Sequence, residues 1–205
     1  MAETSVTEKT LELNICEEIL AYVRPRFPSA FWYGPSTRDE KALGYDASLQ
    51  GVEGHALFLQ FNRPLTYTPS RPKAFPYWFK VRSSQHKTLL ELAKQYPGAV
   101  NYVFPFIGDH AELIDAVPNL TGESFYAPVE TALHLDDPPA HHKVEVYRDQ
   151  AIFHSEPVSV PRRSLPEIVQ AMAQHRFTLN EFMRVHEELE AWDLRRHGAK
   201  WVRHL

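Results

Sequence analysis

The sequence predicts an α/β fold, with α+β as the alternative, built on a mixed central β-sheet flanked by helices. Three observations support this prediction. Residues 8–24 repeat apolar side chains at helical spacing, residues 44–62 alternate as two strands of a hairpin, and a helical segment at 83–96 precedes a buried-looking strand at 99–107. Helix, hairpin, strand, helix and strand in this order indicate one layered domain.

The first helix is predicted over residues 8–24 and ends before Pro25, because proline cannot continue a helix. Leu13, Cys16, Glu17 and Leu20 are expected to share its apolar face. Glu17 would therefore be a carboxylate on the buried side, paired with an arginine or serving a site.

Residues 29–37 are rich in proline and aromatic side chains and are predicted to form a loop. Ser36 or Thr37 can cap the short turn that follows, which carries Asp39 and Glu40. The predicted hairpin begins at Gly44, with glycines at its turn. In its second strand, alternation divides the side chains into two sets, namely Leu57, Leu59 and Phe61 on one face and Phe58, Gln60 and Asn62 on the other.

Residues 77–81 are predicted to form a third strand beside this hairpin, and residues 143–160 a late hairpin. We expect an α/β domain over residues 1–160 and a C-terminal helical extension over 161–205 that packs on it. The helical segment at 178–197 is amphipathic, which favours docking on the domain or on a protein partner.

Composition narrows the classes of function. The chain of 205 residues has a formal net charge of −4, which argues against a uniformly basic nucleic-acid coat but permits an acidic metal site beside a local basic patch. Its one cysteine, Cys16, excludes an intrachain disulfide and favours a reducing cytoplasm. The N-terminus is unlike a signal peptide, and no apolar run reaches the roughly 20 residues that span a bilayer, so no membrane partner is expected.

The candidate site is built on Asp46, in the predicted first strand of the hairpin, and on Gln60 and Asn62, which end its second strand. Gln60 and Asn62 are two residues apart, so they lie on one face and can converge with Asp46. Mg²⁺ prefers oxygen ligands, usually one or two carboxylates with water and phosphate oxygens. The sequence thus predicts a Mg²⁺ site with Asp46 and Gln60 as ligands, while strand-end amides facing water and a turn aspartate are the alternatives.

A further acid from a helix beside the sheet would complete such a site, and Glu17 and Glu40 are equally eligible. Water bound to the metal would then attack phosphorus, and the metal would offset the charge that develops on the phosphate.

These residues match a known motif that consists of an acid on a helix, an aspartate on one strand and (Glu/Gln)-x-Lys at the end of the next strand. Glu17 or Glu40 would be the helix acid, Asp46 the strand aspartate, and Gln60 the first residue of (Glu/Gln)-x-Lys. In these residues the chain resembles the PD-(D/E)xK, or restriction-endonuclease-like, phosphodiesterase superfamily over roughly residues 8–107. The resemblance implies an αβββαβ core, Mg²⁺-dependent hydrolysis of DNA phosphodiesters, and a setting in bacterial antiviral defence.

The motif lysine is missing, because Asn62 stands at its position. Lys80 on the third predicted strand could place its ammonium group in the same space. Otherwise the fold serves binding without catalysis, as a nucleic-acid- or protein-binding accessory module. Loss of one electrostatic donor costs on the order of 10²–10³ in rate.

Basic residues follow the hairpin and are interleaved with aromatic ones over residues 63–87. Basic side chains neutralise phosphates and aromatic rings stack on unpaired bases, so this run predicts DNA contacts. The candidate DNA-binding residues are Arg63, Arg71, Lys73 and Arg82. A proline-stiffened surface loop followed by a core strand is the alternative.

Overall fold

The computed structural model describes residues 6–52, 55–65, 76–132, 135, 140–155 and 158–173. In these ranges the α-helices are α1 (Glu8–Val23), α2 (Thr37–Leu43), α3 (Ser83–Gln95), α4 (His110–Ala116) and α5 (Leu165–Ala173). The strands are β1 (Phe31–Tyr33), β2 (Ala47–Val52), β3 (His55–Phe61), β4 (Tyr77–Arg82), β5 (Val100–Pro105), β6 (Ser124–Pro128), β7 (His141–Val146), β8 (Gln150–Phe153) and β9 (Val158–Pro161).

The described strands form two sheets. The first is mixed and has the order β1-β2-β3-β5-β6, in which β3 and β5 are parallel and the other neighbours are antiparallel. The second has the order β4-β7-β8-β9 and is antiparallel throughout. The predicted α/β class with a mixed sheet and flanking helices is confirmed, and the second sheet is an addition to it.

The mixed sheet lies in the centre because both of its faces are apolar. On one face Leu59 packs with Ile15 of α1 and Met172 of α5 in a continuous buried cluster. On the other face Phe58 belongs to a cluster that includes residues of α3 and of the second sheet, such as Phe79. The two sets predicted for β3 therefore point to opposite faces, as period-two alternation requires.

Two predictions about strands are wrong. Residues Phe31–Tyr33 form β1, an edge strand paired with β2, rather than a loop. β4 does not neighbour β3, because it pairs with β7 along its whole length in the second sheet. Alternate β4 side chains, including Phe79 and Val81, face the core between the sheets, and this burial determines which sheet β4 joins.

The apolar face predicted for α1 is right only in part, because Cys16 and Leu20 are buried but two other members are not. Leu13 is 60% exposed and Glu17 is exposed, whereas Leu11, Ile15 and Ile19 are buried. The buried aliphatic residues follow one another at i and i+4, which places them on one helix face. This row determines how α1 packs, and Glu17 falls beside it rather than on it.

The domain boundary predicted at residue 160 stays a prediction. α5 packs on the mixed sheet through Ile168 and Met172, which belong to the same buried cluster as α1. Residues 174–205, with the segment expected to bind a partner, lie outside the described residues. No helix in the described ranges combines the length and the apolar character needed to cross a membrane.

Phe104 offers a test of this packing. Its side chain is fully buried between the sheets, with its ring centroid 4.9 Å from that of Phe79 and 6.4 Å from that of Phe153. We expect Phe104→Ala to lower the free energy of unfolding by about 3–5 kcal/mol, because it leaves a cavity where the sheets meet. Urea denaturation measures this loss.

Phe31→Ala is the matched control, because Phe31 is 48% exposed on the edge strand. We expect it to change the free energy of unfolding by less than about 1 kcal/mol. Equal losses for the two variants would contradict the placement of Phe104 between the sheets.

Candidate functional site

The turn between α2 and β2 places Asp46. Ser36 caps the start of α2, as predicted, and its hydroxyl accepts a hydrogen bond from the backbone N–H of Asp39. α2 ends at Gly44, whose φ of 79° lies in the left-handed region that glycine adopts without strain. The buried Tyr45 follows, and the backbone N–H of Asp46 donates to Leu59 O at 3.0 Å.

The carboxylate of Asp46 reaches across to the end of β3. Its Oδ2 accepts a hydrogen bond from the backbone N–H of Phe61 at 2.7 Å and one from Gln60 Nε2 at 2.8 Å. The predicted convergence of Asp46 and Gln60 is therefore present in the structure. A turn aspartate that bonds to its own neighbouring backbone is not what is found.

Gln60 is held from several sides. Its Nε2 also donates to Phe61 O at 2.8 Å, and its Oε1 accepts a hydrogen bond from Gln85 Nε2 at 2.6 Å. Gln85 in α3 also donates to Gly44 O, so one amide chain joins α3, β3 and the turn before Asp46. Gln60 is only 4% exposed, which excludes the alternative of a strand-end amide facing water.

Asn62 is buried as well, at 8% exposure. Its Nδ2 donates to Gln60 O at 3.4 Å, and its backbone N–H donates to Val103 O at 3.0 Å. These bonds tie the end of β3 to itself and to β5. Asn62 therefore supports the group of polar side chains around Asp46, which we call the pocket, and it brings no positive charge to it.

Carboxylates from two helices surround Asp46. Burial raises the pKa of Asp46 to about 8, the hydrogen bond from Phe61 opposes this rise, and the charges of Glu8, Glu12 and Glu40 add to it. Glu8 and Glu12 are one turn apart on α1, and Glu40 belongs to α2. Of the two acids predicted from sequence, the structure brings Glu40 to the pocket.

Glu17 does not take the place expected for the helix acid. It lies five residues beyond Glu12, which turns its side chain about 140° around the helix axis. Glu8 and Glu12 supply the α1 carboxylates instead. Sequence reasoning missed them because it extended the buried face of α1 in the wrong direction.

Lys9 is the second residue that the sequence reasoning missed. Its Nζ lies 2.5 Å from Glu12 Oε1. Burial lowers the pKa of Lys9, but the hydrogen bond to Glu12 and the charges of Glu12, Glu40 and Asp46 outweigh burial and raise it. Lys9 is thus a charged ammonium within electrostatic range of Asp46. Its spacing of three residues from Glu12 was the available signal.

Lys80 lies away from the pocket. Its predicted role there assumed that β4 neighbours β3, which is not the case. It is exposed on β4, and its partner across the strands is Lys143 of β7. Its sheet is not the one that contains Gln60.

Two of the predicted DNA-binding arginines lie at the rim of the pocket. The backbone N–H of Arg63 donates to Glu8 Oε2 at 3.2 Å. Burial raises the pKa of Glu8, while this hydrogen bond and the charges of Arg63 and Arg82 oppose the rise. Arg71 and Lys73 lie outside the described residues.

The pocket contains only a few oxygen atoms of the kind that Mg²⁺ prefers as ligands. Among the described residues no three His, Cys, Asp or Glu side chains form a group able to hold a metal ion. Asp46 Oδ2 and Phe61 O both lie 2.8 Å from Gln60 Nε2, so a hydrogen-bond donor occupies the point between two oxygens. A carboxylate and a backbone carbonyl are oxygen ligands that suit a hard cation, which would have to displace the amide nitrogen from between them.

Comparison with known proteins assigns no family: no family model, no curated protein and no solved structure matches the chain. The resemblance to restriction-endonuclease-like enzymes stays a prediction. The function is therefore argued from the pocket.

The pKa of Asp46 predicts a pH dependence of stability. Because the folded-state pKa of about 8 lies above the ordinary value of 3.8, the unfolded chain releases a proton that the folded chain keeps between these values. Stability is therefore lost as the pH rises through this window. Asp46→Asn has no carboxyl group to titrate and should not lose this stability. The free energy of unfolding of Asp46→Asn minus that of wild type should therefore rise by on the order of 1–3 kcal/mol between about pH 5 and about pH 8.

Urea denaturation in EDTA at the two pH values measures this difference. Glu17→Gln is the control, because Glu17 is exposed on another face of α1, and its difference from wild type should not change with pH. A difference between Asp46→Asn and wild type that is the same at both pH values would contradict the raised pKa.

Proposed function

We propose that this protein is a metal-dependent nuclease with a restriction-endonuclease-like core that hydrolyses DNA phosphodiesters. One observation carries the proposal. The carboxylate of Asp46 accepts hydrogen bonds from the Gln60 side chain and the Phe61 N–H at the end of a central strand, and Gln60 also donates to the Phe61 carbonyl. Carboxylates of α1 and α2 lie within electrostatic range.

The order of the elements supports the proposal. The sequence α1, β1, β2, β3, α3 and β5 contains the αβββαβ order that the resemblance implies, with α2 and β4 as insertions. Strands β1, β2 and β3 are successive antiparallel neighbours, and β5 lies parallel to β3. On this scaffold Asp46 directly precedes β2 and Gln60 lies next to the end of β3, an order that agrees with the motif.

The charges of the pocket also favour a cation. Several carboxylates act on one another there, and Asp46 keeps its proton to an unusually high pH. A divalent cation would be attracted to these carboxylates, since it stabilises the ionised form of the half-buried Asp46. Asp46 would be its carboxylate ligand, and Gln60 would have to present Oε1 to it in place of the amide nitrogen.

Each side chain has a place in the proposed reaction. Mg²⁺ would supply Lewis-acid activation of the phosphate and of a water nucleophile. Glu40, with Glu8 and Glu12, would bind and orient water around the metal. Lys9 is the candidate for the missing lysine, because its exposed ammonium pairs with Glu12 and lies within electrostatic range of Asp46.

A second candidate function is an accessory module of the same fold that binds nucleic acid or protein without catalysis. The observation in its favour is the orientation of Gln60. Its amide nitrogen donates to Asp46 and to the Phe61 carbonyl at once, which satisfies both oxygens with no metal ion. Asn62 at the lysine position agrees with this candidate. A cytoplasmic setting and a role in bacterial antiviral defence belong to the proposal in either form.

Metal titration separates the two candidates. We expect wild type to bind Mn²⁺ and Mg²⁺ in isothermal titration calorimetry and to cleave supercoiled plasmid DNA. Asp46→Ala should lose the binding heat and at least about 10²-fold in cleavage rate, because the ligand carboxylate is gone. Glu17→Ala is the matched control on α1 and should behave as wild type.

Two results would decide against the proposal. If Asp46→Ala cleaved DNA at the wild-type rate, the cleavage would arise elsewhere, and the assigned site would be wrong. If wild type bound neither ion but still bound DNA, the accessory module would replace the nuclease.

A further inference from the structure

The exposed face of the β4–β7 pair carries a row of basic side chains. We call this surface the basic face; its residues are Trp78, Lys80 and Arg82 of β4 and His141 and Lys143 of β7. In the antiparallel register Lys80 lies directly opposite Lys143, and Arg82 lies opposite His141. The opposite side of β4 is buried in the core between the sheets, so these residues form one side of a fixed surface.

A bound anion would stabilise the cross-strand pair of Lys80 and Lys143. Side chains directly opposite each other in an antiparallel pair have Cβ atoms about 4.5–5.5 Å apart, and like charges at these positions destabilise a sheet. Both lysines are exposed, and the chain as a whole carries a net charge of −4. The positive charge is therefore concentrated locally, where a bound phosphate group would relieve the repulsion.

Glu145, the acidic residue of β7 on this face, bonds to residues other than the two lysines. Glu145 lies opposite Trp78, and its Oε1 is 3.2 Å from His154 Nε2. Its other carboxylate oxygen accepts a hydrogen bond from the hydroxyl of Tyr147. Glu145 is thus turned to its own neighbours rather than to the pair of lysines.

A depression of about 480 Å³ lies at the end of the basic face. It is lined by Leu65 and Trp78 together with Lys80 and Lys143. The ring of Trp78 is stacked against His154 at 5.4 Å between centroids, and Lys143 Nζ is 6.0 Å from the centroid of Trp78. Apolar and cationic groups therefore share one cavity, which suits a ligand that has a flat apolar ring next to a phosphate.

The basic face leads to the pocket around Asp46. Arg82 is close enough to Glu8 for its charge to act on that carboxylate. The next element, α3, provides Gln85, which bonds to Gln60. Alternate residues of a strand are about 6.6 Å apart, so Lys80 and Arg82 place charges at regular intervals towards the pocket.

We infer that the basic face binds single-stranded DNA, with an unpaired base against Trp78 and Leu65 in the depression and backbone phosphates on Lys80, Lys143 and Arg82. This inference rests on the proposed function and adds the strandedness of its substrate. A duplex hides its bases in the stack, so it would use the charges and not the apolar wall. A single strand uses both, as in other sites that pair basic grooves with stacking platforms.

Fluorescence anisotropy tests the inference. A labelled oligothymidylate longer than the roughly 16 nucleotides of one binding site is titrated with the full chain in EDTA at several salt concentrations, and a duplex of equal length is titrated alongside. Wild type should bind the single strand at least about tenfold more tightly than the duplex. Because EDTA removes divalent cations, the result does not depend on cleavage.

Two lysine variants with equal loss of charge provide the comparison. Lys80→Gln/Lys143→Gln should weaken binding about tenfold and reduce the slope of log K against log salt by about 1.4, because each phosphate that the protein no longer neutralises accounts for about 0.7. Lys87→Gln/Lys94→Gln is the control, because both lysines belong to α3 and line a different depression. Trp78→Leu should weaken single-strand binding about tenfold and leave the slope unchanged.

Each other result overturns the inference. Duplex binding as tight as single-strand binding would mean that the apolar wall is not used, and equal losses in the two double variants would mean that only total charge matters. Displacement of the oligonucleotide by polyglutamate at equal charge would identify a general anion surface. Cleavage of plasmid DNA by wild type alongside any of these results would leave the proposed nuclease standing, while binding without cleavage would leave only the inference.

Discussion

The hydrogen bonds between Asp46 and the end of β3 are the constraint on which the candidate site depends. The backbone N–H of Phe61 and the side chain of Gln60 both donate to Asp46 Oδ2, so a carboxylate enters the interior at the point where β3 ends. These hydrogen bonds reduce the free-energy cost of removing the half-buried carboxylate from water, but the negative charges nearby still oppose its ionisation. The raised pKa of Asp46 follows from that conflict.

The sequence was sufficient for the hairpin and for the convergence of Asp46 with Gln60, because period-two alternation in β3 fixes which side chains share a face. It failed where the answer depends on distant segments. The alternating pattern of β4 is compatible with either sheet, and the pairing with β7 along its whole length determines that it joins the second sheet. The apolar pattern of α1 was sufficient for Cys16 and Leu20, but it extended the buried face in the wrong direction. Glu17 was therefore chosen in place of Glu12, and Lys9 was missed.

Two regions of opposite charge lie near each other among the described residues. An acidic pocket around Asp46 suits a cation, and the basic face of β4 and β7 suits a phosphate chain. Arg63 and Arg82 lie where they meet, with their charges acting on Glu8. Under the proposed function, the acidic pocket would bind the cation and the basic face would bind the polyanion. Gln60 and Asn62 determine whether such a site is a catalyst or a binding surface.

The most direct test of this account is the titration of Asp46 itself. In EDTA, ¹³C NMR of the aspartate carboxyl carbons, with Asp46→Asn to assign the signal, should show one aspartate that titrates near pH 8, as burial and the surrounding carboxylates require. A pKa of Asp46 below about 5 would contradict the account, because it would mean that the hydrogen bonds to the carboxylate outweigh desolvation and the charges of the neighbouring acids.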